Sequence, residues 1–244
     1  MARGNSVLIS ESAYRRLREA IVTTEVQPGS FLLDRDIADL VGASRTPVRE
    51  ALARLAAEGW IESVPRRGYR VRTLELGELP QLGEMVGGVE AAAAGKLAEA
   101  SNPPRLAYLR QLAEECTRAV ERLDLEGFLA ADDRFHRYLL GDAALYPLSG
   151  MLYRLMVDQL HRMRRLAEPS PRDQARHVEE HRLLLLAMEL ADDEAARLLA
   201  RGHRARMVER LIRALAVVEM PSATELVVKQ TTRRHALRRS SQLT

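Results

Sequence analysis

In the stretch Ser44-Arg45-Thr46-Pro47-Val48-Arg49-Glu50-Ala51-Leu52, apolar residues recur at helical spacing and cations stand at the front. Val48, Ala51, Leu52 and then Leu55 follow one another at steps of three, one and three, which predicts one apolar stripe on a helix. Thr46 suits an N-cap, and Pro47 suits the first helical position, where its missing N–H would have had no acceptor. Gly59 closes the helix. Immediately upstream, Gly42-Ala43-Ser44 reads as a turn, and Asp34 to Val41 as a short helix with Ile37, Leu40 and Val41 inward. Gln27-Pro28-Gly29-Ser30 is a break. Before it, Ala13, Leu17, Ala20 and Ile21 mark an amphipathic helix from Glu11 to Glu25. Downstream, two β-prone runs, 60–64 and 69–72, flank Pro65-Arg66-Arg67-Gly68 and predict a hairpin. Three helices followed by a hairpin is the order of a winged helix-turn-helix, here over residues 8–74.

Such a module reads DNA with the front of its third helix, so base-reaching side chains belong there. Arg45 and Arg49 stand at that end, and a guanidinium donates two parallel hydrogen bonds to phosphate or to a guanine edge. Ser44 and Thr46 can donate to phosphates, assisted by the free N–H groups of the same helix end. Arg66 and Arg67 sit at the hairpin tip beside Gly68, where a wing approaches a sugar-phosphate backbone, and Arg35 opens the second helix. Arg54, Arg70 and Arg72 read as solvated surface. A winged module can also serve as a protein-binding unit, which residue placement alone leaves open.

Residues 73–80 read as a linker, with Gly77 and Pro80 as breakers. Beyond it the periodicity predicts only helices, at 80–100, 103–123, 124–140, 145–167, 172–191 and 193–219. Asn102-Pro103 is a cap and first-turn proline, and Pro169 and Pro171 separate the fourth from the fifth. The fold class is therefore mainly α: a winged helix-turn-helix joined to an all-α bundle at 80–220, followed by a basic, mobile tail at 221–244. No internal repeat is visible.

Composition narrows the function. Hydrophobic residues make up 46% of the 244, enough for a sizeable core, and aromatics only 4%. No apolar run is long enough to span a membrane, and the N-terminus lacks a signal-peptide pattern. A single cysteine, Cys116, excludes an internal disulfide framework and a CxxC metal knuckle, and a cytoplasmic location is expected. The net charge of +3 is unevenly spread: +3 over residues 1–74, −4 over 75–220 and +4 over 221–244. A basic head on an acidic body suits a polyanionic partner.

The head resembles the GntR family of regulators. The resemblance rests on Asp36-Ile37-Ala38, on Ser44 through Leu52, and on Leu55, Glu58-Gly59 and Gly68, and it covers roughly residues 10–74. It implies a homodimer on a short palindromic operator. It also implies DNA contacts by Arg35, Ser44, Arg45, Thr46, Arg49 and Gly68, with Arg67 as a wing contact.

In the body, Asp132 and His136 are four apart and so share one helix face. If the helices carrying His181 and His203 are antiparallel neighbours, the four converge in a set suited to zinc, nickel or a related ion, leaving positions open for a carboxylate; otherwise Asp132 and His136 are a simple surface pair. His177 stands one turn before His181, so helical spacing does not choose between them, and His161 and His235 have no identifiable partner. Asp132-Asp133-Arg134-Phe135-His136, Glu180-His181-Arg182 and His203 resemble the FCD ligand-binding domain of FadR-like GntR regulators, over roughly residues 80–220. That resemblance implies a divalent metal held by Asp132, His136, His181 and His203, with a small organic acid bound at or near it. Two departures stand out. Val86 replaces an arginine common four residues before the glutamate matching Glu90, and Leu145-Tyr146 replace a common Asn-Pro. An acid anchor would then come from elsewhere, such as Arg162 or Arg164.

The function expected is a DNA-binding repressor controlled by an effector. The alternative is a metal-dependent hydrolase, because three histidines and one carboxylate can activate water. No general base, phosphate loop or nucleophile motif accompanies them.

Overall fold

A computed structural model describes residues 2–100, 102–140 and 147–217. The chain divides into two compact units, the first ending at Thr73 and the second running Leu74–Val218. The expected tail at 221–244, together with Leu145, Tyr146 and His235, lies outside the described residues.

The first unit runs α1 (Ala2–Val22), β1 (Phe31–Leu32), α2 (Asp34–Val41), α3 (Arg45–Ala57), β2 (Ile61–Val64) and β3 (Gly68–Val71). Its core takes Ala13, Leu17 and Ile21 from α1, the Val48/Ala51/Leu52/Leu55 stripe from α3, and Trp60, Ile61 and Val71 from the wing. Each large side chain so buried contributes about 1.5–3 kcal/mol. Glu58, just past α3, accepts from Tyr14 Oη at 2.6 Å, Trp60 Nε1 at 3.2 Å and Arg54 Nε at 3.1 Å, tying α1 to the wing base.

Three local expectations are revised. The N-cap of α3 is Ser44, not Thr46, and its hydroxyl makes no cap hydrogen bond. Pro47 is thus the third helical residue, still within the first turn, where N–H groups lack intrahelical acceptors. The hairpin is part of a three-stranded antiparallel sheet of order β1-β3-β2, because Phe31 and Leu32 pair with Arg70 and Tyr69. Third, α1 begins at Ala2, not at Glu11. Gly68 has φ +88°, and a Cβ there would lie 2.7 Å from the Leu32 carbonyl oxygen, so the close β1–β3 approach requires glycine.

The second unit contains α4 (Leu79–Ala100), α5 (Pro103–Glu121), α6 (Leu125–Leu140), α7 (Pro147–Ala167), α8 (Pro171–Glu189) and α9 (Asp193–Val217). The expected linker is partly ordered into it: a 3₁₀ turn at Leu76–Glu78, closed by a Glu75/Glu78 capping box, leads into α4. Asn102 and Ser170 cap α5 and α8 ahead of first-turn prolines. Helix α4 lies along α9. Their close approach depends on small residues: a Cβ on Gly83 would meet Val208 Cγ2 at 2.5 Å, and one on Gly87 would meet Arg204 Cβ at 3.1 Å. Val86 is fully buried with Leu79, Tyr153, Val157 and Leu211, so that position is apolar core in this chain.

Candidate functional site

On the first unit, Ser44, Arg45, Thr46 and Arg49 are all exposed while Pro47 and Val48 are buried. The front of α3 thus presents four potential donors on its solvent side. Arg49 Nε lies 3.5 Å from Asp34 Oδ2, and Arg35 Nε lies 3.3 Å from Asp36 Oδ1. Both guanidiniums remain mostly solvated, so these pairs hold them weakly and leave them available to a phosphate. Arg67 is exposed at the wing tip, 5.6 Å from the Phe31 ring centroid, and the tip turns through Arg66 with φ +63°.

In the second unit, four residues read as ligands from the sequence are brought together, and all are buried: Asp132, His136, His181 and His203. His136 Nε2 lies 3.1 Å from His181 Nε2 and 3.3 Å from His203 Nε2. Asp132 Oδ1 lies 3.6 Å from His136 Nε2 and 3.4 Å from His181 Nε2. His177 joins them, with Nε2 2.5 Å from Asp132 Oδ1. One ring nitrogen from each of the four histidines can be chosen so that all lie within 4.8 Å of one another. Spacing could not choose between His177 and His181 because α8 turns both inward.

The surroundings orient these groups. His203 Nδ1–H donates to Glu180 Oε2 at 2.7 Å, which fixes the tautomer and leaves the Nε2 lone pair facing the cluster. Glu180 is held in turn by Arg206 Nε at 2.8 Å and Arg210 Nη1 at 2.9 Å. His136 Nδ1 lies 3.1 Å from Glu90 Oε1 but off the line of a good hydrogen bond. Glu90 accepts from Arg204 Nε and Nη2, both at 2.6 Å, and from Tyr153 Oη at 2.5 Å. Asp132 Oδ2 pairs with Arg164 Nη1. Phe135 stacks on His181 with centroids 4.0 Å apart. Among these, Arg204 and Tyr153 carried no local sequence signal, whereas Glu90 stood in the family resemblance and Glu180 is the neighbour of His181.

Electrostatics match a ligand set. Burial, the largest influence, holds the His177, His181 and His203 imidazoles well below their ordinary pKa, so each offers a lone pair at neutral pH. Burial opposes the charge of Asp132, but Arg164 with His177 and His136 outweighs it and holds the carboxyl well below its usual range. His136 differs: burial and Arg204 lower its pKa, and Glu90 and Asp132 raise it by more. Cys116 Sγ also comes near Asp132 and His181, but burial pushes its thiol pKa up, so it offers a neutral thiol, a poor ligand.

These donors fit a divalent ion. A single proton on His136 Nε2 can serve the contact to His181 or that to His203, not both. A shared cation serves both, and two donors each about 2.0 Å from a tetrahedral ion stand about 3.3 Å apart. Beside the cluster, a small, partly open cleft is lined by Phe128, Arg164, Asp173, His177, Arg210 and Leu211, among others. His161, without a partner in the sequence reading, pairs through Nδ1 with Asp133 Oδ1 at 3.0 Å.

Comparison with known proteins agrees with this division. The family model "Bacterial regulatory proteins, gntR family" matches residues 9–71, and the FCD domain model matches residues 81–206. An HTH-type regulator in the TAR-I ttuE-ttuC' intergenic region of Agrobacterium vitis is 38% identical over 136 residues, covering 54% of this chain and 80% of that protein. The HTH-type transcriptional repressor RspR of Escherichia coli K12 is 30% identical over 131 residues, 54% of this chain and 58% of RspR. The solved structure of E. coli McbR/YncC shares the fold, with a TM-score of 0.72 at 23% identity, covering 84% of this chain and 97% of that one. The matching families and relatives are transcription regulators, not enzymes, which overturns the hydrolase alternative. Among the described residues no helix is long and apolar enough to cross a membrane.

Proposed function

Because the chain belongs to the GntR family of bacterial regulators and carries an FCD domain, we propose that it is an effector-controlled cytoplasmic repressor. It acts as a homodimer, holds a palindromic operator through its two winged helices, and releases it when a small organic acid occupies the metal-centred helical domain. The observation that carries this reading is the buried Asp132/His136/His181/His203 cluster adjoining a cleft lined by Arg164 and Arg210. Asp132, His136, His181 and His203 hold the ion, zinc or nickel by donor type. When bound, it supplies a Lewis-acidic centre for a carboxylate oxygen.

The charge balance favours an anion. Asp132 is already paired with Arg164, and Glu90 with Arg204, so neither is free to neutralise a divalent ion. Val86 provides no cation, but Arg164 from α7 and Arg210 from α9 line the cleft and can pair with an acid. In the head, Ser44, Arg45, Thr46 and Arg49 of α3 contact the major groove, with Arg35 on phosphate and Arg67 and Gly68 at the wing. The effector shifts operator affinity by the difference in its own affinity for the bound and released arrangements.

Elemental analysis of the full chain purified without chelator, combined with native mass spectrometry, tests the reading. It should find about one divalent metal per chain and a small acid retained with it. Metal-free protein that takes up none on addition of zinc or nickel would refute the cluster's role.

A further inference from the structure

We infer that His177 is a fifth protein donor to the ion, standing on the cleft side of the cluster. The inference rests on the metal reading above and adds a residue to it. His177 Nε2 lies 2.5 Å from Asp132 Oδ1, the same oxygen that faces His136 and His181. His177 and His181 are one turn apart on α8, so one rigid helix face offers two imidazoles. The ring is buried, braced edge-on by Phe128 with centroids 5.6 Å apart. Its centroid is 4.3 Å from that of His203 and 4.7 Å from that of His181.

The simpler role is a hydrogen bond from His177 Nε2–H to Asp132, and 2.5 Å is a hydrogen-bond separation, so in the ligand role the two groups must part slightly around the ion. Asp132 already has Arg164 on its other oxygen. An N–H directed into the cluster would also place a proton where the cation belongs. His177 is the histidine of the four that lines the cleft among the residues named there. An anion entering between Arg164 and Arg210 therefore meets this ligand on its way to the ion. Asp132 with four imidazoles selects an ion that accepts five or six donors, such as nickel, cobalt or manganese, over four-coordinate zinc.

Metal affinity alone does not separate the two roles, because losing a hydrogen bond to a ligand also weakens binding. The ligand count does. The full chain, labelled at histidine and loaded with cobalt(II), is examined for hyperfine-shifted imidazole resonances. Four sets are expected in the wild type and three in His177→Gln, with cobalt still bound one to one in the variant. Three sets in the wild type, or a count that the substitution leaves unchanged, overturn the inference while the metal reading stands. No stoichiometric cobalt uptake by the wild type overturns both. The wild-type count needs no variant, and His177→Asn provides a second one if the glutamine protein does not fold.

Discussion

Replacing Glu90 with glutamine removes one negative charge from a fully buried side chain while keeping its shape. Glu90 accepts two 2.6 Å hydrogen bonds from Arg204 and one of 2.5 Å from Tyr153. The glutamine oxygen can retain Tyr153 and one guanidinium N–H. The new NH₂ then faces the other guanidinium N–H, donor against donor. Arg204, itself buried with Nη1 lacking a hydrogen bond, is left as an uncompensated charge. Breaking a buried pair from one side costs about 3–5 kcal/mol, and for a unit of this size that lowers Tm by roughly 10 °C. Far-ultraviolet circular dichroism follows the helical unit, while fluorescence of Trp60, the one tryptophan, follows the head separately. The helical transition should fall and the Trp60 transition should not. A loss of less than about 1 kcal/mol, the worth of an exposed ion pair, would refute the buried Glu90–Arg204 account.

Two other outcomes are expected. Arg45→Ala and Arg49→Ala should each weaken binding to an operator selected from random DNA. Removing a side chain that grips phosphate should reduce the salt slope by about 1, whereas removing one that reads a base edge should relax sequence preference at one position; unchanged affinity counts against the α3 assignment. Tyr14→Phe should destabilise the head by about 1 kcal/mol, read by Trp60 fluorescence in denaturant. Burial, then the hydrogen bond to Glu58, raises the Tyr14 pKa from 10.0 to about 12. Because the folded value is the higher one, this contribution is fully present below about pH 10 and is lost as pH rises through about 12. Ultraviolet titration of the folded chain should lose one late-ionising tyrosine in the variant. A wild-type Tyr14 that ionises with the exposed tyrosines would contradict the geometry.

Legibility followed the range of each signal. The α3 stripe Val48/Ala51/Leu52/Leu55 is buried as its spacing predicts, because side chains three and four apart share a helix face. The cap at Asn102 was equally local, closing on the Arg105 N–H three residues on. Strand β1 was not legible: two residues carry no period, and Phe31-Leu32 become a strand only by pairing with Arg70 and Tyr69. Asp132 and His136 could be paired from spacing on one helix, but nothing local joined them to α8 and α9. Glu90 and Arg204 are 114 positions apart, and only the close α4–α9 approach through Gly83 and Gly87 makes them a pair.

By itself, then, the sequence determined a winged helix-turn-helix with Arg45 and Arg49 at the front of its third helix, an all-helical body, and the residue types of a candidate metal site. Tertiary structure decided the rest: that His177 stands inside the cluster, that Arg164 pairs with Asp132 while also lining the cleft, and that position 86 is core. The reason is physical. Helix periodicity and capping act within one turn, whereas the meeting of α4, α6, α8 and α9 depends on how whole helix faces pack, which no short stretch encodes.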